Sequence, residues 1–439
     1  MMIVFILTKL KVVSDLRLQL SVLFVVMLVA ISSFGQKAVL TPVRKVLFVI
    51  VDGIPADVIE KVPTPALDVI AKEGKYLAAF VGGKKGGYNQ TPTISAVGYN
   101  SLLTGTWANK HNVWDNDIAK PNYHYYTIFK LLKDQYPGKK IGVFSSWLDN
   151  RTKLVGDGLI ATNKLKVDFS YDGLEKDTIS FPHDAKKVYM HLIDEAVVKH
   201  AAGIIRNQAP DLNWVYLEYT DDVAHMSGDG EAFSHAVQMA DDQIKQLWDA
   251  VKLREKNYGE QWQVYITTDH GRDSVTGRGH GHQSNRERNT WIVTNAKDIN
   301  PYFIKNKPAI VDIMPSIARF MNLRIPPDHA MELDGVPITG QVSVVNPSAV
   351  LTDSLIELSW TAIKKTGSAK VWISTTNNYR LGQKDNYVLA GIVPVNAQRM
   401  TISRSKFSSE FYKMVIEAES NFANCWAGHD LDAMIKTYK

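Results

Sequence analysis

A single cysteine, Cys425, stands in 439 residues, so no intrachain disulfide is available to hold the fold. The formal charge of +5 is small for this length and no basic run exceeds a few residues, which removes the compositional basis for nucleic-acid binding. Internal repeats and low-complexity segments are lacking. Beyond residues 1–35, no stretch is apolar enough to cross a bilayer. What remains is the composition of an ordinary globular protein, 45% hydrophobic, with a sizeable core and room for two or three domains.

The one long apolar run is N-terminal. Lys9, Lys11 and Arg17 precede the mostly apolar Leu20–Ile31, and Ser32-Ser33-Phe34-Gly35-Gln36 follows with small residues where a signal peptidase reads. The pattern is that of a secretory signal peptide over residues 1–35, cut after Gly35, and the alternative is an uncleaved membrane anchor. The run is short for a full span, which favours the signal. The apolar Met1–Leu7 ahead of the lysines leaves the true start open. Export without disulfides fits a bacterial periplasmic or secreted protein, with Cys425 packed rather than reactive.

From Lys45 onward, short apolar runs alternate with helical patterns, the signature of an α/β fold with a mostly parallel sheet and helices on both faces. Strands are expected at Val46–Val51, Tyr76–Phe80, Ile141–Ser145, Trp214–Tyr219, Val264–Thr268 and Trp291–Val293. Helices are expected at about Thr127–Gln135, Ala185–Ile205, Glu231–Lys252 and Val311–Met321, where apolar residues recur at three- and four-residue spacing. After Ile338 the texture changes to short alternating runs divided by turn residues. These predict a small C-terminal β-sandwich, immunoglobulin- or fibronectin-III-like, over 345–439, following a catalytic domain over 45–340.

The polar residues of interest fall just after strand ends, where an open α/β sheet binds its ligands. Asp52 ends the first strand, and Asp269-His270-Gly271 follows a later one. Asp221 and His225 stand four apart, a spacing that turns both side chains to one side of a helical turn. His280 and His282 lie in Gly-His-Gly-His. Zinc takes His nitrogen and carboxylate oxygen, and a pair of such ions needs five or six ligands plus a shared oxygen, which this set supplies. Each element alone has a plainer reading as a turn, a surface pair or a loop cap. In Pro92–Gly105 a loop turns into a helix with Ser95 at the junction, on its own ordinarily an N-cap, with a nucleophile at the positive end of a helix dipole as the alternative that the Asp and His residues further along favour. Thr93 is the neighbouring alternative.

Asp52-Gly53, Ser95 with the helix running to Leu103-Thr104-Gly105, Asp221-x-x-x-His225, Asp269-His270-Gly271 and His280-Gly281 resemble, in order and context, the alkaline phosphatase superfamily, and within it the type I phosphodiesterase/nucleotide pyrophosphatase family. The resemblance covers about Lys45 to Ile338. It implies two Zn²⁺, or other divalent ions, one held by Asp221, His225 and His280 and one by Asp52, Asp269 and His270, with Ser95 as a metal-activated nucleophile. In His111-Asn112-Val113-Trp114-Asp115-Asn116 it makes Asn116 the residue that holds a phosphoryl oxygen. The sequence departs from the family in having Ser where Thr is usual, and Val97-Gly98-Tyr99 in place of Pro-Asn-His.

The implied activity is hydrolysis of a small-molecule phosphodiester or pyrophosphate through a phospho-serine intermediate. Phosphomonoesterase relatives bring a Lys-x-Arg segment to the extra charged oxygen, and Ser145–Arg151 lacks it, although Arg151 or Lys84-Lys85 remain available for that role. A second reading makes the chain a catalytically inactive exported binding protein that works through Trp360, Trp372 and Tyr387 of the sandwich. Those aromatics at alternating positions are expected to be sandwich core instead. The leaving group and the oligomeric state have no signature.

Overall fold

Strand β1 (Arg44–Val51) is apolar from Val46 on and buried on both faces, as a central strand of a covered sheet must be. The computed structural model describes residues 17, 19–21 and 42–437. Most of residues 1–35, where a signal peptide is expected, and its expected cleavage point fall outside the described residues, and no helix among those described is long and apolar enough to cross a membrane. Contacts separate Met1–Val43 from one compact unit, Arg44–Lys439.

After β1 come helix α1 (Pro65–Glu73), β2 (Lys75–Phe80), α2 (Ser95–Thr104), α3 (Ile128–Gln135), β3 (Ile141–Ser145) and β4 (Phe169–Tyr171). They are followed by α4 (Val188–Asn207), β5 (Leu212–Leu217), α5 (Tyr219–Ser227), α6 (Glu231–Tyr258), β6 (Gln261–Thr267), β7 (Asn289–Thr294) and α7 (Ile313–Phe320). The seven strands form one sheet in the order β2-β7-β6-β1-β5-β3-β4. Strands β6, β1, β5, β3 and β4 run parallel, while β7 and β2 pair antiparallel at one edge. One apolar cluster fills the face bearing α2, α3 and α7, and another fills the face bearing α1, α4 and α6.

Every residue of α2 is buried, including Leu102 and Leu103. At about 1.5–3 kcal/mol for each fully buried leucine, these two side chains anchor the helix rigidly to the sheet. Its first turn is thereby held over the carboxyl ends of β1 and β6. The expected β5 extends to Tyr219, but the strand stops at Leu217 and Tyr219 opens α5. Asp194, projecting from α4, accepts the N–H groups of Glu218 (3.1 Å) and Tyr219 (2.9 Å), and this meets the first donors of the new helix.

Residues from Val344 on form two antiparallel sheets, β11-β10-β13-β14 and β12-β9-β8. Their strands are β8 (Val344–Leu351), β9 (Leu355–Ala362), β10 (Ser368–Ser374), β11 (Val388–Pro394), β12 (Arg399–Ser403), β13 (Phe411–Glu417) and β14 (Phe422–Gly428). Together they enclose a core of their own, the small sandwich the alternation predicts. Strand β4 is absent from the sequence expectation, having only three residues, and Asn346-Pro347 interrupts the alternation of β8. Of the three aromatics expected in the sandwich core, Trp360 is there. Trp372 is half-buried and donates to Glu417, and Tyr387 donates its hydroxyl to Glu332. Cys425 is buried in β14, and burial pushes its thiol up to about 12.

The sandwich is tied to the α/β body by buried charges. Lys413 of β13 pairs with Glu332 and, at 2.6 Å, with Asp385. Lys110 pairs with Asp334 at 2.6 Å and donates to Asn424 of β14 at 2.8 Å.

Candidate active site

Asp52 follows β1 directly, and Asp269 and His270 follow the neighbouring β6, so three donors arrive at the carboxyl ends of adjacent strands. Their ligand atoms lie within 4.8 Å of one another. His270 Nε2 stands 3.3 Å from Asp52 Oδ1 and 3.2 Å from Asp269 Oδ2. From α5, Asp221 and His225 face the same space, with His225 Nε2 3.2 Å from Asp221 Oδ2. His280 completes a second group, its Nε2 3.1 Å from His225 Nε2 and 3.9 Å from Asp221 Oδ1, and His270 borders this group too, its Nε2 4.0 Å from Asp221 Oδ1.

All six residues proposed from the sequence are thus brought together. His280 is oriented by its Nδ1, 2.9 Å from the Thr93 carbonyl, whereas the side chain of His282 is exposed. Thr93 is committed to the same loop, its hydroxyl donating to His282 O at 2.8 Å and accepting from Gly281 N at 3.0 Å.

Ser95 is the first helical residue of α2, and Ile94 takes the N-cap position without a side-chain cap. The serine hydroxyl is therefore not spent on capping, and its Oγ lies 3.3 Å from His270 Nε2. The cap comes from elsewhere: Asn116 Oδ1 accepts the Ala96 N–H at 3.0 Å. Asn116 itself is exposed, and its Nδ2 makes no hydrogen bond among the described residues. The loop bearing Asn116 is fixed by His111, which is buried between Ser101 Oγ (3.1 Å) and the Val113 N–H (3.1 Å). Burial lowers this imidazole to about 3, so it stays neutral.

Two tyrosines shape the floor, Tyr99, noted in the sequence only as part of a departure from the family, and Tyr216, which sequence reading missed. Tyr99 and Tyr216 both donate to Asp52 Oδ2, the latter at 2.7 Å, and Asp52 Oδ1 is left buried with no hydrogen-bond partner. Asp269 Oδ1 accepts the Gly53 N–H at 3.1 Å, and its Oδ2 is likewise unpartnered. Orphaned buried carboxylate oxygens carry a large desolvation cost unless a cation meets them. The two oxygens and His270 Nε2 sit near the roughly 3.3–3.6 Å that separates donors bonded to one tetrahedral zinc at about 2.0–2.2 Å. These residues fit a divalent metal. The departure Val97-Gly98-Tyr99 finds its structural use here, since Tyr99 reaches Asp52 from within α2.

The electrostatics agree. Burial, then the charges of Asp269 and Asp221, push the Asp52 carboxyl well above its ordinary range. Burial and Asp221 raise Asp269 to about 7. For Asp221 burial also works upward, but Arg272, His225 and His270 outweigh it and hold the group below the carboxylate range. Burial and the neighbouring His280 lower His270 well below the usual imidazole value. A carboxyl that titrates near 7 is largely protonated at pH 6 and ionised at pH 8. Cation binding to metal-free protein is therefore expected to expel about one more proton at pH 6 than at pH 8. Calorimetry in buffers of different ionisation enthalpy measures this number, and equal release at both pH values contradicts the assignment.

A model of the type I phosphodiesterase/nucleotide pyrophosphatase family matches residues 46–316. The chain belongs to that family. It is a phosphodiesterase/pyrophosphatase-type hydrolase of the alkaline phosphatase superfamily, and the match spans every strand of the large sheet and all six clustered residues. No curated protein matches the sequence at a significant level. Among solved structures, this family member is similar to murine ectonucleotide pyrophosphatase/phosphodiesterase 5, at 15% identity and a TM-score of 0.45 over 64% of this chain and 96% of that one. It is also similar to a putative sulfatase from Bacteroides thetaiotaomicron, at 12% identity and a TM-score of 0.48 over 83% and 86% of the two chains. A phosphonoacetate hydrolase from Sinorhizobium meliloti shows 18% identity and a TM-score of 0.36 over 52% and 57%.

Proposed function

We propose that the chain is an exported phosphohydrolase that uses two zinc ions and a phospho-serine intermediate to cleave phosphodiester or pyrophosphate bonds. The observation that carries this reading is the convergence of the Ser95 hydroxyl and two groups of donors, Asp52–Asp269–His270 and Asp221–His270–His280, the latter with His225 beside it, on one space at the start of α2. Asp52, Asp269 and His270 would hold one ion, and Asp221, His225 and His280 the other. Bound there, the ions supply positive charge that acidifies the serine hydroxyl and offsets charge on the phosphoryl oxygens.

The chain's own residues do the rest. Ser95 Oγ, its proton released to solvent, attacks phosphorus, and the leaving oxygen departs with its electron pair and takes a proton from water; a water molecule then attacks phosphorus and breaks the serine–phosphate bond, Ser95 Oγ regaining a proton, so two inversions leave configuration at phosphorus retained. Asn116 Nδ2, at the positive end of α2, meets a non-bridging oxygen. Export rests on the N-terminal sequence pattern alone.

Preference for a diester over a monoester has support in how the spare cations are used. Arg151 is bound by Asp157 at 2.6 Å and by Asp172 at 2.6 and 3.0 Å, so it is not free to meet a third charged oxygen. Lys84 and Lys85 line a separate cavity of about 860 Å³ with Trp426 and His429, in which neither Ser95 nor any of the six donors takes part. Purified protein assayed with and without zinc is expected to hydrolyse bis-p-nitrophenyl phosphate in preference to p-nitrophenyl phosphate, and to lose activity in chelator. Preference for the monoester overturns the diester assignment.

A further inference from the structure

Arg272, directly after Asp269-His270-Gly271, is among the largest fully buried side chains of the protein. All its guanidinium nitrogens are engaged. Nε donates to Gly53 O at 3.1 Å, Nη1 to Arg278 O at 3.2 Å, and Nη2 to Asp221 O at 3.1 Å and to Asp221 Oδ1. The acceptors stand on three separate segments, those that carry Asp52, Asp221 and His280. Room for the guanidinium exists because residue 53 is glycine at φ +69°. A Cβ there would lie 2.4 Å from Nη2 and 2.6 Å from Asp221 Oδ1.

A buried guanidinium keeps its charge, and this one is ion-paired with Asp221 of one donor group, whereas it pairs with neither carboxylate of the other and bears on it only through His270, whose Nε2 is 4.0 Å from Asp221 Oδ1. The groups are correspondingly unequal. Asp52 Oδ1 and Asp269 Oδ2 have no hydrogen-bond partner, whereas Asp221 has Oδ1 held by Arg272 and Oδ2 beside His225. A metal ion entering the first group relieves two stranded oxygens. One entering the second meets a carboxylate already compensated and a like charge behind it.

Resting on the two-metal reading above, we propose that Arg272 is a positioning residue that grades the two metal sites: the Asp52–Asp269–His270 site fills first and tightly, and the Asp221–His225–His280 site fills second and more weakly. The second metal is then the exchangeable one. Arg272→Met removes the fixed charge at similar length. It leaves Asp221 without its main compensation, so both effects favour the incoming ion. Arg272→Lys keeps the charge and loses the fork.

Zinc titration of metal-free protein, followed by calorimetry with native mass spectrometry for stoichiometry, tests this without reference to catalysis. The wild-type protein is expected to bind two zinc ions with dissociation constants at least tenfold apart, and His225→Ala is expected to remove the weaker step. In Arg272→Met the weaker step tightens at least tenfold and the gap closes, while Arg272→Lys retains the gap. Two equal wild-type sites overturn the proposal whether or not any variant folds, as does a weaker step that is unchanged or loosened in folded Arg272→Met. Binding of fewer than two zinc ions by wild-type protein overturns the two-metal reading itself and the grading with it.

Discussion

Ser95→Ala is expected to lower kcat by at least about 10³-fold while zinc binding and thermal stability stay close to wild type, because the substitution deletes one nucleophilic oxygen and nothing that supports the helix. Its hydroxyl is not the cap of α2, a task done by Asn116, and the helix is anchored by residues such as Leu102 and Leu103 further along. Ser95→Thr restores a hydroxyl at the same atom and is expected to retain a substantial part of the rate. The measurement is single-turnover hydrolysis of a chromogenic diester, with zinc content checked in parallel. Full activity in Ser95→Ala removes Ser95 from the mechanism.

Gly98→Ala should be nearly as damaging for a purely geometric reason. A Cβ at this position would lie 2.8 Å from the Asp269 carbonyl oxygen and 2.9 Å from Asp269 Cβ, atoms of a segment that cannot step aside. Replacing glycine with alanine inside a helix ordinarily gains up to about 1 kcal/mol. Overpacking against backbone costs about 1–3 kcal/mol and dominates here. The helix relieves the contact by moving away from β6, carrying Ser95 off His270 and Tyr99 off Asp52. We expect a loss of about 10²-fold in kcat/KM, since a displacement of about 1 Å at reacting groups has that effect, together with a lower denaturation midpoint. Wild-type activity in this variant contradicts the close approach of α2 to Asp269.

How much of this was legible in the sequence follows from the range of the interactions involved. The alternation of apolar runs and helical patterns suffices for the sheet, because burial on both faces writes itself into consecutive residues of β1 and β5. Asp52, Asp221, His225, Asp269 and His270 could be singled out because strand ends are local features. The antiparallel pairing of β7 with β2 at the sheet edge and the three-residue β4 leave no such mark. Nor do the supports of the site. Tyr99 and Tyr216 look like core aromatics until both reach one oxygen of Asp52, and Asp194 is one acidic residue in a long helix until it meets the start of α5. Arg272 adjoins Asp269-His270-Gly271, but its acceptors Gly53 O and Asp221 O lie far away in the chain. Residues that act through distant partners have no periodicity to betray them.

The buried lysine that links the sandwich to the α/β body bears on how such an enzyme can be taken apart. Lys110 immediately precedes His111, which holds the loop bearing Asn116, and its ammonium is met by Asp334, the Glu332 carbonyl and Asn424 of β14. Asn424 in turn donates to Leu333 O. Removing the C-terminal strands therefore strips a partner from a desolvated charge next to the residue that holds the Asn116 loop, besides baring apolar surface. The C-terminal domain is thus not an interchangeable cartridge: any recombination that replaced it would have to supply an acceptor for Lys110, so the two parts are expected to be inherited, exchanged and lost as a single block.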